Sequence, residues 1–477
     1  MRRAWVWWGV GVLAGVAALV PAHRLTTVPP ISRDFWAPGA RSQALADITR
    51  DLSLWWGLFV VTAVALLRAP RRAAVATALV LGTAAGLVSL VHTAVLSDDL
   101  YRYAWDGRAQ AAGINPYRYA PGDPALAGLH DDWLWPSPQE CAAIGKNAPC
   151  TRINRPGVPT IYPPGAQLWF RLAHGLLPAG SRDLGYEVLG LVLALATGLL
   201  VAAVLRRTGR DPRWVVLWAC CPLVAVEAVQ RAHVDVLAGL LVTASAGVLL
   251  GRGGTASDRV PGRGRSVAGA LLLGLAGLVK LYPFVLLPGL VQRHRPTAWA
   301  SAAGLAVLAY LPFVLGVGGG VVGYLEGYLH EEGYGKGTRF LLLSVTGLTG
   351  TPVKVLAYGL VAGVLVLALL RRLGPPDRAA LAVLLTLLFV ATPGEAWYGL
   401  VLLPLIALTG SWQWLGIVVG EYVSFLTQLL GGPHLVPSQA CYLGALLLGG
   451  GVTALQALRG RLLRARPAGV PVPGRTG

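Results

Sequence analysis

The sequence predicts an all-α, polytopic membrane protein of about 12 transmembrane helices, and three observations carry that expectation. Of 477 residues, 55% are hydrophobic and only 13% charged, where soluble domains carry about 25%. Long apolar runs recur from one end of the chain to the other, rather than gathering into one soluble core. The basic residues, which give a net charge of +18, fall in short clusters between those runs: Arg2–Arg3, Arg68–Arg72, Arg206–Arg213, Arg252–Arg265, Arg293–Arg295, Arg371–Arg378 and Arg459–Arg466. Such clustering is what the positive-inside rule produces, so the charge argues for cytoplasmic loops and against nucleic acid as a partner.

Full crossings are read near Trp5–Val20, Leu52–Leu67, Ala73–Leu96, Leu184–Leu205, Trp214–Val229, Val234–Leu250, Ala298–Leu315, Val353–Leu370, Ala379–Ala391, Tyr398–Leu408, Leu415–Leu430 and Tyr442–Leu458. Two further runs are interrupted. Ile161–Leu177 contains Pro163–Pro164, Arg171 and His174, and Val267–Val291 contains Lys280 followed by Tyr282-Pro283. Counting both as crossings would put Arg206–Arg213 and Arg252–Arg265 outside. Reading both as re-entrant or interfacial segments puts every basic cluster inside, with both termini cytoplasmic. Arg2–Arg3 and the apolar stretch after them have the form of a signal peptide. With so many runs behind it, an uncleaved first helix is the expectation. Residues 1–463 form one membrane domain on this reading, and the Pro/Gly/Arg-rich 464–477 a disordered cytoplasmic tail.

This topology gathers the chemistry on the extracytoplasmic side of the plasma (inner) membrane. The first long outer loop, 97–160, holds seven of the chain's 22 acidic residues and seven aromatics, which suit a membrane interface. Its start, SDDLYRYAWDGRAQAAGINPYRYAP (Ser97–Pro121), packs Asp98, Asp99 and Asp106 among three arginines. His233 and Asp235, the 316–339 loop and TPGEAW (Thr392–Trp397) are expected on the same side. Ionisable groups at a membrane edge are costly, and so are candidates for function. Cys141 and Cys150, with eight residues between them, lie in the outer loop, where an oxidising space would let them pair; two free thiols are the alternative. Cys220, Cys221 and Cys441 read as packing, and no cysteine–histidine spacing suggests a metal.

Carboxylates beside arginines at a membrane edge suggest chemistry on a phosphorylated, lipid-bound substrate, whose leaving group is anionic. Transfer from it needs a base for the acceptor hydroxyl and cations for the departing phosphate. Asp99 is the first choice of base and Asp98 the second; adjacent carboxylates are expected to face different ways, and either could instead cap the next helix. Asp106 with Arg102 and Arg108 reads as a structural ion-pair set, and Asn115 as a turn residue that shapes the loop. Lys280, thirteen residues into an apolar run, needs an anion, either phosphate or an outer-loop acid; Arg339 is a second phosphate candidate. His233 and Asp235 form either a cavity pair or a helix junction. Glu395, Trp397 and Tyr398 suit sugar binding, although an interfacial aromatic belt explains the two rings equally well.

The run D-L-Y-R-Y-A-W-D-G-R at Asp99–Arg108, with G-I-N-P-Y after it, resembles the first external loop of C-type-fold integral-membrane glycosyltransferases. TIYPPGAQ (Thr160–Gln167), HVD (His233–Asp235), VKLYP (Val279–Pro283) and PGEAWY (Pro393–Tyr398) extend the likeness over most of the chain. Within that group it is most similar to bacterial mannosyltransferases that use a polyprenyl-phosphate sugar, those of glycosyltransferase family 87. The resemblance implies an acidic residue at Asp98 or Asp99 in the reaction, and no metal or other cofactor beyond the lipid-linked donor. The residues expected to bind substrate are Arg102, Tyr103, Tyr162, His233, Asp235, Lys280, Tyr282, Arg339, Glu395, Trp397 and Tyr398. The expected partners are membrane lipid, the polyprenyl-phosphate sugar and a glycan or glycolipid acceptor. Two other classes share the membrane physics: a lipid-linked glycan flippase, and a glycan polymerase or ligase. Against the flippase, no internal repeat with matched broken helices is visible.

Overall fold

The computed structural model describes residues 2–27, 38–90, 97–144, 146–251, 261–291, 295–430 and 435–464, and among these there is no β-strand. The predicted tail beyond Arg464, the end of the Ala73–Leu96 run and parts of the basic clusters at Arg252–Arg265 and Arg293–Arg295 lie outside the described residues. Among the described residues, seven helices are long and apolar enough to cross a membrane: Arg2–Thr26, Gln43–Leu66, Arg71–Val88, Arg182–Arg207, Pro296–Glu331, Gly350–Leu369 and Val436–Arg459. Each coincides with one of the predicted crossings. At 1.5 Å per residue, eighteen residues give about 27 Å, close to the hydrocarbon thickness.

The other five predicted crossings are helical but shorter or bent, and the reason is local. Trp214–Val229 is broken: one piece ends at Ala219, and a π-helical turn resumes over Val224–Gln230 at 61° to the first. Pro222 causes the break, since its ring clashes with the carbonyl four residues back and it lacks an N–H. Asp235–Leu249, Pro376–Ala391, Gly399–Thr409 and Gly416–Leu430 are each below eighteen residues. Gly399–Thr409 is buried at almost every position, which is the mark of an apolar helix surrounded by protein. By contrast Pro296–Val317 turns Val307, Leu308 and Leu315 outward, a surface that suits lipid.

The two interrupted runs frame the site. In the first, Pro164 sits at the opening position of helix Pro164–Leu176, where a missing N–H costs nothing. That helix packs against Asp99–Ala111 so closely that a Cβ on Gly107 would stand 2.3 Å from the Phe170 carbonyl oxygen. In the second, helix Arg263–Val279 stops at Lys280, whose backbone is extended. Pro283 again forbids continuation, and the chain restarts as short turns over Tyr282–Leu290. A single apolar core runs through these elements, with a small satellite of Phe340, Val353, Ala357 and Val390.

Candidate active site

The breaks, the outer loops and the start of Asp99–Ala111 enclose a cavity of about 610 Å³, a size suited to a small ligand. Ten of the thirteen predicted catalytic and substrate-binding residues line it: Asp98, Asp99, Arg102, Tyr162, Lys280, Tyr282, Arg339, Glu395, Trp397 and Tyr398. Tyr103, His233 and Asp235 lie behind its wall.

Both adjacent carboxylates face the cavity, which corrects the expectation that only one would. They are bridged by a single side chain. Asn154 Nδ2 donates to Asp99 Oδ1 at 2.6 Å and to Asp98 Oδ1 at 3.1 Å. Asp98 occupies the N-cap position of its helix but makes no capping bond, so the capping role is not taken up. Its carboxyl is pushed above the ordinary carboxylate range by burial and by the charge of Asp99. Asp99 Oδ2 accepts from Tyr162 OH at 3.2 Å and from Tyr103 OH at 3.5 Å. His233 Nδ1 stands 3.6 Å from the same oxygen, and its Nε2 3.5 Å from Glu227 Oε2. Tyr103 is therefore a buttress, stacked on Phe170, and His233 a fully buried support that backs the ring of Trp397 at 4.1 Å.

The cations that line the cavity are paired. Lys280 Nζ lies 3.3 Å from Asp235 Oδ2 and 5.0 Å from the centre of the Tyr162 ring. Its partner is thus the first residue of Asp235–Leu249, not an acid of the 97–160 loop, and Tyr282 OH donates to the other oxygen of Asp235 at 3.4 Å. Arg339 pairs with Glu332 and, at 3.2 Å, with Glu395. Burial and the charge of Glu395 push the Glu332 carboxyl up. Trp397 and Tyr398 are half-buried, with Tyr398 5.2 Å from the Tyr282 ring.

Arg102 touches the cavity but is bound elsewhere, to Asp106 at 3.2 Å and to the Val158 carbonyl at 3.0 Å. Asp106 also accepts from Thr160 and Gln167, so it ties the Asp99–Ala111 helix to the TIYPP turn. Arg108 pairs with Asp131 and not with Asp106, which corrects one member of the expected ion-pair set. Asn115 accepts from the Tyr117 N–H and donates to the Phe313 carbonyl. Cys141 and Cys150 are joined as a disulfide.

Several site residues escaped the sequence reading. Asn154 and Arg155 sit in a polar turn that looked like ordinary loop. Glu332 and Tyr328 lie in an outer loop read only for Arg339. Glu227 did leave a signal, an acid inside an apolar run; Arg231 and Tyr422 hold it, and it is fully buried. Another signal is geometric. Arg155, Ala232 and Thr392 have φ of 44°, 49° and 39°, uncommon for non-glycine residues. Each flanks or nears a site residue: Asn154, His233 and Glu395. Among the described residues, no group of three or more His, Cys, Asp or Glu is placed to hold a metal ion.

No curated protein and no solved structure matched the chain. Residues 160–393, a little under half its length, match the family model described as Glycosyltransferase family 87. The matched stretch holds Tyr162, His233, Asp235, Lys280 and Arg339, and it begins after Asp98 and Asp99. Together with the long apolar helices, the match supports a membrane glycosyltransferase: the chain carries a glycosyltransferase family 87 region over residues 160–393.

Proposed function

We propose that the protein transfers a hexose, mannose in the first instance, from a polyprenyl phosphate to a cell-envelope glycan or glycolipid on the extracytoplasmic face, with inversion. The observation that carries the reading is one cavity lined by two adjacent carboxylates, Asp98 and Asp99, and by two cations, Lys280 and Arg339. Asp99 takes the proton of the acceptor hydroxyl as that oxygen attacks the anomeric carbon. The bond from the anomeric carbon to the phosphate oxygen breaks on the opposite face, so the configuration inverts. Lys280 and Arg339 meet the charge that develops on the departing polyprenyl phosphate. Trp397, Tyr398 and Tyr282 offer ring faces to the sugar, and Leu325, Leu329, Leu387 and Leu388 give the lipid an apolar flank. The reaction needs no cofactor, since the donor already carries an activated sugar. Twelve crossings with both termini cytoplasmic remain the topology that best fits the basic clusters.

The test uses proteoliposomes holding the full chain, tritium-labelled mannosyl polyprenyl phosphate and an acceptor extract of envelope lipids. Transfer with an inverted anomeric centre is expected. Retained configuration, or no transfer from any polyprenyl-phosphate hexose, would overturn the reading. Topology is checked separately by labelling single cysteines with an impermeant maleimide. A cysteine at Asp123 is expected to react from outside and one at Arg259, which lies outside the described residues, is not.

A further inference from the structure

The chain that leaves the disulfide ring reaches the carboxylate pair four residues later. Residues 141 and 150 are cross-linked, and the segment after the bridge is pinned at once. Thr151 Oγ1 donates to the Leu134 carbonyl at 2.6 Å, the Arg152 N–H to the same carbonyl at 2.9 Å, and Arg152 Nε to the Trp133 carbonyl at 2.9 Å. Ile153 is buried, and Arg155 follows in the left-handed region, with φ of 44°. Between these two fixed residues Asn154 projects its amide to both Asp98 and Asp99. The cross-linked segment also supplies Lys146, whose Nζ donates to the Thr151 carbonyl at 2.7 Å and whose charge acts on Asp98.

We propose that the disulfide ring 141–150 and the pinned residues 151–154 after it form a clip for the catalytic pair, in which Asn154 is a positioning residue that fixes the rotamers of both carboxylates. The inference rests on the assignment of Asp99 as the base. Its logic is chemical: a primary amide has two N–H donors, one for each carboxylate, and no charge of its own. It can therefore hold two adjacent acids toward one cavity without neutralising either. An arginine there would form ion pairs and remove the base. Without the amide, two like charges on consecutive residues turn apart, as consecutive side chains do by default.

The test compares four variants in the transfer assay, with mannosyl polyprenyl phosphate as the probe. Asn154→Ala and the isosteric Asn154→Asp are expected to lower kcat by roughly 10–100-fold, the cost of a small misplacement of a reacting group, with KM for the donor little changed. Asn154 holds the Asp98 carboxyl down, so in Asn154→Ala that carboxyl keeps its proton more tightly and the acidic side of the pH–rate profile should move to higher pH. The other groups that face the pair (Lys146, Arg155, Tyr103, Tyr162, His233 and Asp235) are unaltered in that variant. Cys141→Ser/Cys150→Ser should lose less, and should cost nothing further when added to Asn154→Ala, because both act through one contact. Wild-type kcat and pH profile in both Asn154 variants overturn the clip, and additive losses overturn the part given to the disulfide. Should Asp99→Asn stay active while the Asn154 variants are impaired, it is the assignment of the base that falls.

Discussion

Asp98 and Asp99 are held by neutral donors, Asn154 and the hydroxyls of Tyr162 and Tyr103. Lys280 and Arg339, which line the same cavity, are each held by carboxylates, Asp235 for the first, Glu332 and Glu395 for the second. Neutral donors orient an acid and leave its charge available for a proton. Carboxylate partners orient a cation and keep its charge balanced until a stronger anion arrives. The two sets differ in origin as well: the acids precede the matched region, whereas Lys280, Glu332 and Arg339 come from within it. Asp99 opens the helix Asp99–Ala111, which packs on Pro164–Leu176, and Tyr162 joins it to Lys280: the Tyr162 hydroxyl donates to Asp99, and the Tyr162 ring centre lies 5.0 Å from Lys280 Nζ.

The sharpest break of this comparison is Asp99→Asn, which should cost about 10²–10⁴ in kcat if the base is lost, read by initial rates at saturating donor. Asp98→Asn should cost less and move the acidic limb of the pH–rate profile down, since a neighbouring negative charge is gone. An unmoved profile with equal losses in both would make the two acids interchangeable. Next in size, Lys280→Met and Arg339→Met should raise KM for the donor about tenfold or more, because each removes a charge-assisted contact to phosphate; equal effects on a donor without phosphate would reject that role. Lys280→Met also strands Asp235 in a buried site, so Lys280→Met/Asp235→Asn is the control that separates binding from folding. Smaller still, Glu332→Gln should lower donor KM a few-fold by releasing Arg339 from one partner, within the modest worth of a partly exposed ion pair. Finally, Gly107→Val should cost about 1–3 kcal/mol of stability through overpacking, read by thermal unfolding in detergent, since it forces Asp99–Ala111, which carries Asp99, away from Pro164–Leu176.

Much of this was legible in the sequence because it rests on local rules. Apolar runs and basic clusters located the seven long helices, and Pro164, Pro222 and Pro283 dictate where helices begin or stop whatever the tertiary context. Membrane-edge charge marked Lys280, Asp235 and Glu395, since such residues persist only when paired or used. Partners were far harder to read. Arg108 meets Asp131 although Asp106 is nearer in sequence, and Lys280 meets Asp235, from another helix, and not an acid of the 97–160 loop. Asn154 carries no charge and sits in a turn, so no periodicity or hydropathy signal singles it out, although it touches both acids.

Composition and apolar runs by themselves determined a helical membrane protein with seven of its 22 acids in the loop 97–160, because burial in lipid constrains each segment independently. The tertiary structure decided which charges face one another. It brought residues 98, 154, 280, 339 and 395 around one cavity, and it turned both Asp98 and Asp99 inward by way of a single amide. Those outcomes depend on helix packing and loop closure between distant segments, and on side-chain directions that no local stretch of sequence specifies.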